Sequence, residues 1–168
     1  MRVPQLTALL ICPNRDLAQQ FVSSLADSKT FQIVGDLKNY PTPQTLDIRL
    51  RQLQPEVVLI DLATNLDLAC TLIELITPVR PEVHVVGIHS TNDPEALIRT
   101  LRIGAHEFLH APFERHEQEE ALGRLRRLRS PEQPELSEPE LGKVIAFTSA
   151  KPGSGASTLA TQTAFALK

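Results

Sequence analysis

Two stretches of this chain carry residue types that could do chemistry. The first is Val57-Val58-Leu59-Ile60-Asp61, an apolar run that ends in a carboxylate. A carboxylate at the end of a buried strand can act as a nucleophile or can cap the loop that follows. The second runs from Lys143 through Val144-Ile145-Ala146-Phe147 to Lys151-Pro152-Gly153-Ser154-Gly155-Ala156-Ser157-Thr158. There a strand pattern enters a glycine-containing loop and then the helical run Leu159–Leu167. The backbone N–H groups of such a loop, backed by a helix N-terminus, can cradle phosphates. Other reactive side chains are scattered. Cys12 and Cys70 lack metal-type spacing and read as buried free thiols in a reducing compartment. His84, His89 and His110 are not spaced as metal ligands either, with His84 read as half-buried in a strand.

The bulk properties bound what these residues can belong to. A length of 168 residues accommodates one ordinary domain of ~100–150 residues and not two full ones. With 42% hydrophobic and 22% charged residues the chain can bury a normal core. No apolar run reaches the ~18–20 residues that would cross a bilayer. Met1-Arg2-Val3-Pro4 leads straight into a strand-like run without the pattern of a secretory signal, so a cytoplasmic location is expected. A net charge of -3 argues against general nucleic-acid binding, the basic run Arg124, Arg126, Arg127, Arg129 being a local exception.

The elements that must position these groups follow from periodicity. Apolar runs at Leu6–Ile11, Phe31–Val34, Val57–Ile60, Val83–Ile88 and Glu107–Leu109 alternate with amphipathic segments. The first, third and fourth are nearly continuous in apolar residues, as central parallel strands are when helices cover both faces. Helical stripes are read at Leu17, Phe21 and Leu25, with Asn14 or Asp16 as N-cap; at Leu46, Leu50 and Leu53 behind Thr42-Pro43; and at Leu68, Leu72, Leu75 and Ile76. A fourth helix opens at Asp93-Pro94, carries Leu97, Ile98 and Leu101, and closes at Gly104. A fifth spans about 117–129, with Ala121, Leu122, Leu125 and Leu128 on one side. Five βα units in series predict an α/β domain, a doubly wound five-stranded parallel sheet with right-handed crossovers, over residues 1–129. Residues 130–141, Pro/Glu-rich and poor in large apolar residues, read as a solvated linker. Residues 142–168 read as the opening of a second domain.

Two segments resemble the receiver domains of response regulators. Pro55-Glu56-Val57-Val58-Leu59-Ile60-Asp61 is similar to their third strand, which ends in the phosphoacceptor aspartate. Gly104-Ala105-His106-Glu107-Phe108-Leu109-His110-Ala111-Pro112-Phe113 resembles their GA-x-x-[YF]-L-x-KPF segment. The resemblance implies the CheY-like fold, Asp61 at the acceptor position and Phe108 at the aromatic switch position. It also exposes substitutions. The acidic pair that holds Mg²⁺ is replaced by Cys12-Pro13-Asn14. The phosphoryl-binding Thr or Ser is replaced by His89, followed by Ser90, and the lysine before Pro-Phe by Ala111. Asp16 is left as a helix cap and not a metal ligand. Losing one electrostatic stabiliser of a transition state costs about 10²–10³ in rate.

The loop after Lys143 resembles the deviant Walker A motif of MinD/ParA ATPases, KGG-x-GK[ST]. Lys151 matches their signature lysine, and Gly153, Gly155, Ser157 and Thr158 also match. Pro152 removes one N–H donor and Ala156 replaces the phosphate lysine. A receiver-like domain, an acidic linker and a MinD/ParA-type domain in that order resemble the CpaE/TadZ family of Tad (Flp) pilus-assembly ATPases. This implies a non-catalytic receiver-like domain acting by protein–protein contact, with the pilus-assembly machinery or a second copy as partner. The fourth helix, fifth strand and fifth helix would form the contact face, carrying Arg99, Arg102, Arg115 and the arginine run. It also implies a position at the cell pole or the inner face of the membrane, reached through partners. No cofactor is expected for this chain, with ATP and Mg²⁺ reserved for the complete protein. Two alternatives stand beside this reading: a phosphorylatable receiver in a two-component relay with Asp61 as acceptor, and an ATP-binding P-loop protein.

Overall fold

The computed structural model describes residues 5–129. The expectations for the linker and for the P-loop residues Lys151, Gly153, Gly155, Ser157 and Thr158 lie outside the described residues. The elements are β1 (Leu6–Ile11), α1 (Arg15–Ser28), β2 (Phe31–Leu37), α2 (Pro43–Leu53), β3 (Val57–Asp61), α3 (Leu66–Val79), β4 (His84–His89), α4 (Pro94–Arg102), β5 (Glu107–His110) and α5 (Arg115–Arg129). The strands pair in parallel in the order β2-β1-β3-β4-β5. This is the doubly wound sheet that the alternation of apolar runs and stripes predicts.

Apolar alternation is missing from the central strands because both of their faces are covered. On one face, α1 and α5 enclose Ala8, Leu10, Phe21, Leu59, Phe113 and Leu125. On the other, α2 and α3 enclose Leu9, Ile11, Val58, Ile60, Ile73 and Ile76. Each helix on which a cap was expected has one. Asn14, not Asp16, caps α1, its Oδ1 accepting from the N–H groups of Asp16 and Leu17 at 3.1 Å. Thr42 caps α2, Asn65 caps α3 and Asp93 caps α4. Gly104, at φ 112°, follows the C-cap Ile103.

Four expectations need correction. Leu72 and Ile76 of α3 are buried, but Leu68 and Leu75 point outward and Ala69 and Ile73 take their places. On α4 the residues against the sheet are Ala96 and Thr100, while Ile98 and Leu101 are 49% and 43% exposed. Helix α5 begins two residues earlier than expected and leaves Leu128 exposed. His84 is buried and not half-buried, because α5 and the turn before β5 close over the start of β4.

Candidate functional site

In a parallel sheet the carboxyl ends of all strands lie at one edge, so Cys12, Asp61, His89 and the 111–113 loop converge there. Asp61, the last residue of β3, is fully buried. Its Oδ1 accepts from the N–H of Ala63 at 2.8 Å and of Thr64 at 3.3 Å. Its Oδ2 accepts from the Thr64 hydroxyl at 2.6 Å and the Asn14 N–H at 3.4 Å. A carboxylate offers about four lone-pair sites, and these donors occupy them. The same residue is pinned through its main chain: the Tyr40 hydroxyl donates to the Asp61 carbonyl at 2.7 Å and accepts from the Asn65 N–H at 3.1 Å.

Neighbouring ionisable groups are held neutral. Burial, reinforced by the charge of Asp61, pushes the Cys12 thiol up to about 12, and the thiol donates to the Asn14 carbonyl at 3.1 Å. Burial and Asp61 push the Tyr40 phenol up to about 12 in the same way. Mg²⁺ requires several hard oxygen ligands around the acceptor. Thiol, proline and backbone donors at positions 12–14 do not supply them, and Asp36, the nearby carboxylate at the end of β2, is paired with Lys38. Among the described residues no group of three or more His, Cys, Asp or Glu side chains could hold a metal ion. The site does not fit the metal that a working receiver uses.

The remaining expected positions lie around the same edge of the sheet. His89 closes β4 and its Nδ1 accepts from the Thr91 N–H at 3.1 Å, folding the ring onto its own loop beside the exposed Ser90. The ring stacks on Phe108, with centroids 6.2 Å apart and planes at 25°. Phe108 is partly buried, with the His110 ring centroid 6.4 Å away. Ala111 leads into Pro112 with no cation in place of the lysine. Asp16 lies exposed in the first turn of α1.

Sequence reasoning overlooked Thr64 and Tyr40. Thr64 was legible in principle, since Asp followed by Thr three residues later is a side-chain-capped turn. Tyr40 arrives from the β2–α2 loop, 21 residues away, and no local signal marks it.

The expected basic face also divides. Arg99 binds Asp67 of α3 at 2.6 Å, Arg124 binds Glu107 and Glu120, and Arg129 binds Glu56. Arg115 binds Glu119 at 2.6 Å and, with Arg126, turns toward α1. Along with the exposed Glu95, Arg99 and Arg102, α4 presents Ile98 and Leu101 to solvent, and β5 carries the partly buried Phe108. Among the described residues no helix is long and apolar enough to cross a membrane.

The five-stranded parallel sheet with its five helices matches solved receiver domains in fold. The domain has the CheY-like receiver fold. The isolated receiver domain of RcsB from Salmonella enterica serovar Typhimurium is 16% identical, with a TM-score of 0.56 over 75% of this chain and 99% of that one. A protein from Burkholderia pseudomallei described as pilus assembly-related is 16% identical, with a TM-score of 0.62 over 77% of this chain and 96% of that one. A protein from Burkholderia thailandensis described as the pilus assembly protein CpaE is 16% identical, with a TM-score of 0.58 over 73% and 98%. No family model and no curated protein sequence matches this chain.

Proposed function

We propose that residues 1–129 form a receiver-like domain that works by protein–protein contact and not by phosphoryl transfer. The saturation of Asp61 carries this reading. A nucleophile needs a free lone pair aimed at phosphorus, and all four sites of this carboxylate face donors within the protein. The charge neutralisation that phosphoryl transfer requires is also missing at Cys12, Pro13 and Ala111. In this reading 130–141 is a linker, and 142–168 begins a MinD/ParA-type domain whose Lys151, Gly153, Gly155, Ser157 and Thr158 match the nucleotide loop. The domain would target or regulate that ATPase in Tad/Flp pilus assembly, at the inner face of the membrane or the cell pole. Two proteins described as belonging to pilus assembly share its fold, which supports the assignment. The contact face is α4, β5 and α5, with Ile98 and Leu101 at its centre.

The test is chemical. Incubation of the chain with acetyl phosphate and Mg²⁺ leaves its intact mass unchanged, and beryllofluoride leaves its amide NMR spectrum unchanged. Stoichiometric phosphate that disappears in Asp61→Asn would overturn the proposal and establish a phosphorelay receiver instead.

A further inference from the structure

The amino edge of the sheet, opposite Asp61, holds two histidines that the reading above does not use. His84 opens β4 and is 4% exposed, and the half-buried His106 lies just before β5. Their rings meet edge-on, with centroids 4.7 Å apart. Among the described residues neither ring nitrogen of His84 has a hydrogen-bond partner. His106 is tied to the backbone of β4: its Nδ1 accepts from the Val85 N–H at 3.1 Å and its own N–H donates to the Val85 carbonyl at 2.7 Å. A ring nitrogen that accepts carries no proton, so this ring is neutral, and a second proton would break the Nδ1 bond.

The end of α5 is fastened at the same corner. Arg124 is bonded to Glu107, the residue after His106, and Arg129 to Glu56. The Glu56 carbonyl accepts from the His84 N–H at 3.0 Å, and its carboxylate accepts from the Thr7 N–H at 2.8 Å. Leu125 is fully buried, but none of residues 126–129 is, and Leu128 is 55% exposed. The last turn is therefore held by polar contacts alone, and such turns open more readily than a core does. The charged groups around the two rings are Arg129 and Glu56, Arg124 and Glu107, and, before β4, Arg80 with Glu82. Among the described residues no carboxylate is bonded to either ring. Burial holds both histidines below the ordinary imidazole value, and His106 and Arg129 lower His84 further.

We propose that His84 and His106 form a proton-operated catch on the last turn of α5. Neutral, the two rings pack on each other and tolerate Arg129 beside them. Protonated, His106 can no longer accept from Val85, and the added positive charges repel each other and Arg129. Opening the last turn relieves this, because it admits water to the rings while Leu125 keeps the rest of α5 in place. The sign follows from linkage. The opened state binds more protons below about pH 6.5, so the catch holds above that value and loosens as the pH falls toward the lowered values of the closed state. The chain runs on from this turn to residue 130, so the catch acts where the chain leaves the domain. It lies at the edge opposite Asp61 and is independent of whether that residue takes phosphate.

Amide hydrogen exchange followed by NMR on the full chain tests this, at about pH 7.5 and about pH 5.5, either side of the ordinary imidazole value. Exchange times are scaled for the slower chemical rate at the lower pH. Protection at the amides of Val85, His106 and residues 126–129 falls by about tenfold on acidification, the factor that one excluded proton gives over one pH unit. Protection in α1 and β3 is kept. His84→Leu cannot take up a proton and retains protection at the lower pH. His106→Asn keeps an acceptor near the position of Nδ1 without titrating, so it also retains protection and decides the matter if His84→Leu fails to fold. His116→Gln, at an exposed histidine of α5 paired with Glu120, leaves the wild-type loss in place. Equal protection at both pH values in the wild type, a loss spread evenly over the chain, or the wild-type loss persisting in both His84→Leu and His106→Asn would each overturn the proposal.

Discussion

Asp61 ends an apolar strand with its carboxylate met by donors from Ala63, Thr64 and Asn14. Its location at the end of an apolar run was legible, because a strand buried on both faces announces its own terminus. Its environment was not, because saturation depends on Thr64 turning back and on Asn14 and Tyr40 arriving from other loops. If the carboxylate is a structural acceptor, Asp61→Asn removes the charge that those donors solvate. A hydrogen bond to a charged group contributes about 1.5–3 kcal/mol, and urea unfolding of the variant should show a loss of that order. An unchanged midpoint and slope would mean that the four contacts contribute nothing. A second residue-scale consequence concerns His84 and His106, whose rings meet edge-on at 4.7 Å. Burial lowers the pKa of both, and His84 is lowered further by His106 and Arg129. The folded state therefore holds both neutral, while the unfolded chain takes up protons below the ordinary imidazole value of about 6.5. Stability is present above that pH and falls as the pH drops toward the lowered folded values, by at most ~1.4 kcal/mol per pH unit for each group. Among the described residues neither ring nitrogen of His84 has a hydrogen-bond partner. His84→Leu should then flatten the pH dependence of Tm between 7 and 5, and a slope identical to that of the wild type would refute the assignment.

At the scale of elements, caps were easier to read than phases. Asn14, Thr42 and Asp93 each accept from the first turn of their helix, which is a local interaction written in four consecutive residues, and Asn65, not anticipated, does the same for α3. The inward face of α3 was harder, because apolar residues stand nearly all round it: Leu68, Ala69, Leu72, Ile73, Leu75, Ile76 and Val79. The 3.6-residue period was right, and the chosen stripe was right at Leu72 and Ile76 but not at Leu68 and Leu75, since only packing decides which of two apolar faces meets the sheet. Helix α4 misleads for the opposite reason. Small Ala96 and Thr100 face inward, with the Thr100 hydroxyl satisfied by the Ala96 carbonyl at 2.7 Å, while the large residues stand outside. Helix ends carry a further prediction. Gln54 closes α2 in the left-handed region at φ 43°, its N–H bonded to the Leu50 carbonyl. A left-handed L-residue costs about 1–2 kcal/mol, and glycine returns part of that gain through its larger unfolded-state freedom of about 0.5–1 kcal/mol. Gln54→Gly should therefore raise stability by ~0.5–1 kcal/mol in urea titration. A loss of stability would show that the Gln54 side chain contributes more than its backbone strain costs.

For the whole molecule, the topology followed from the order of patterns, since short apolar strands joined by amphipathic helices can only form a parallel sheet with right-handed crossovers. The surface did not follow from sequence, because it depends on which charges find partners. Of the arginines expected to form one basic face, Arg99, Arg115, Arg124 and Arg129 bind Asp67 of α3, Glu119 and Glu120 of α5, Glu107 of β5 and Glu56 just before β3. Helix α4 presents Ile98 and Leu101 to solvent together with Glu95, Arg99 and Arg102. Adjacent exposed apolar groups of this kind mark contact surfaces in soluble domains more often than they occur by accident. If this surface is where copies of the chain meet, sedimentation velocity of the wild type shifts to larger species as concentration rises. Ile98→Glu with Leu101→Glu should abolish that shift, since apposing the variant copies would bury carboxylates without partners. The positions are exposed and touch no buried group that needs them, so the change in Tm should be small, as for most surface substitutions. A wild type that stays monomeric across the series would exclude self-association through α4. A double variant that associates as the wild type does would place the contact elsewhere on the molecule.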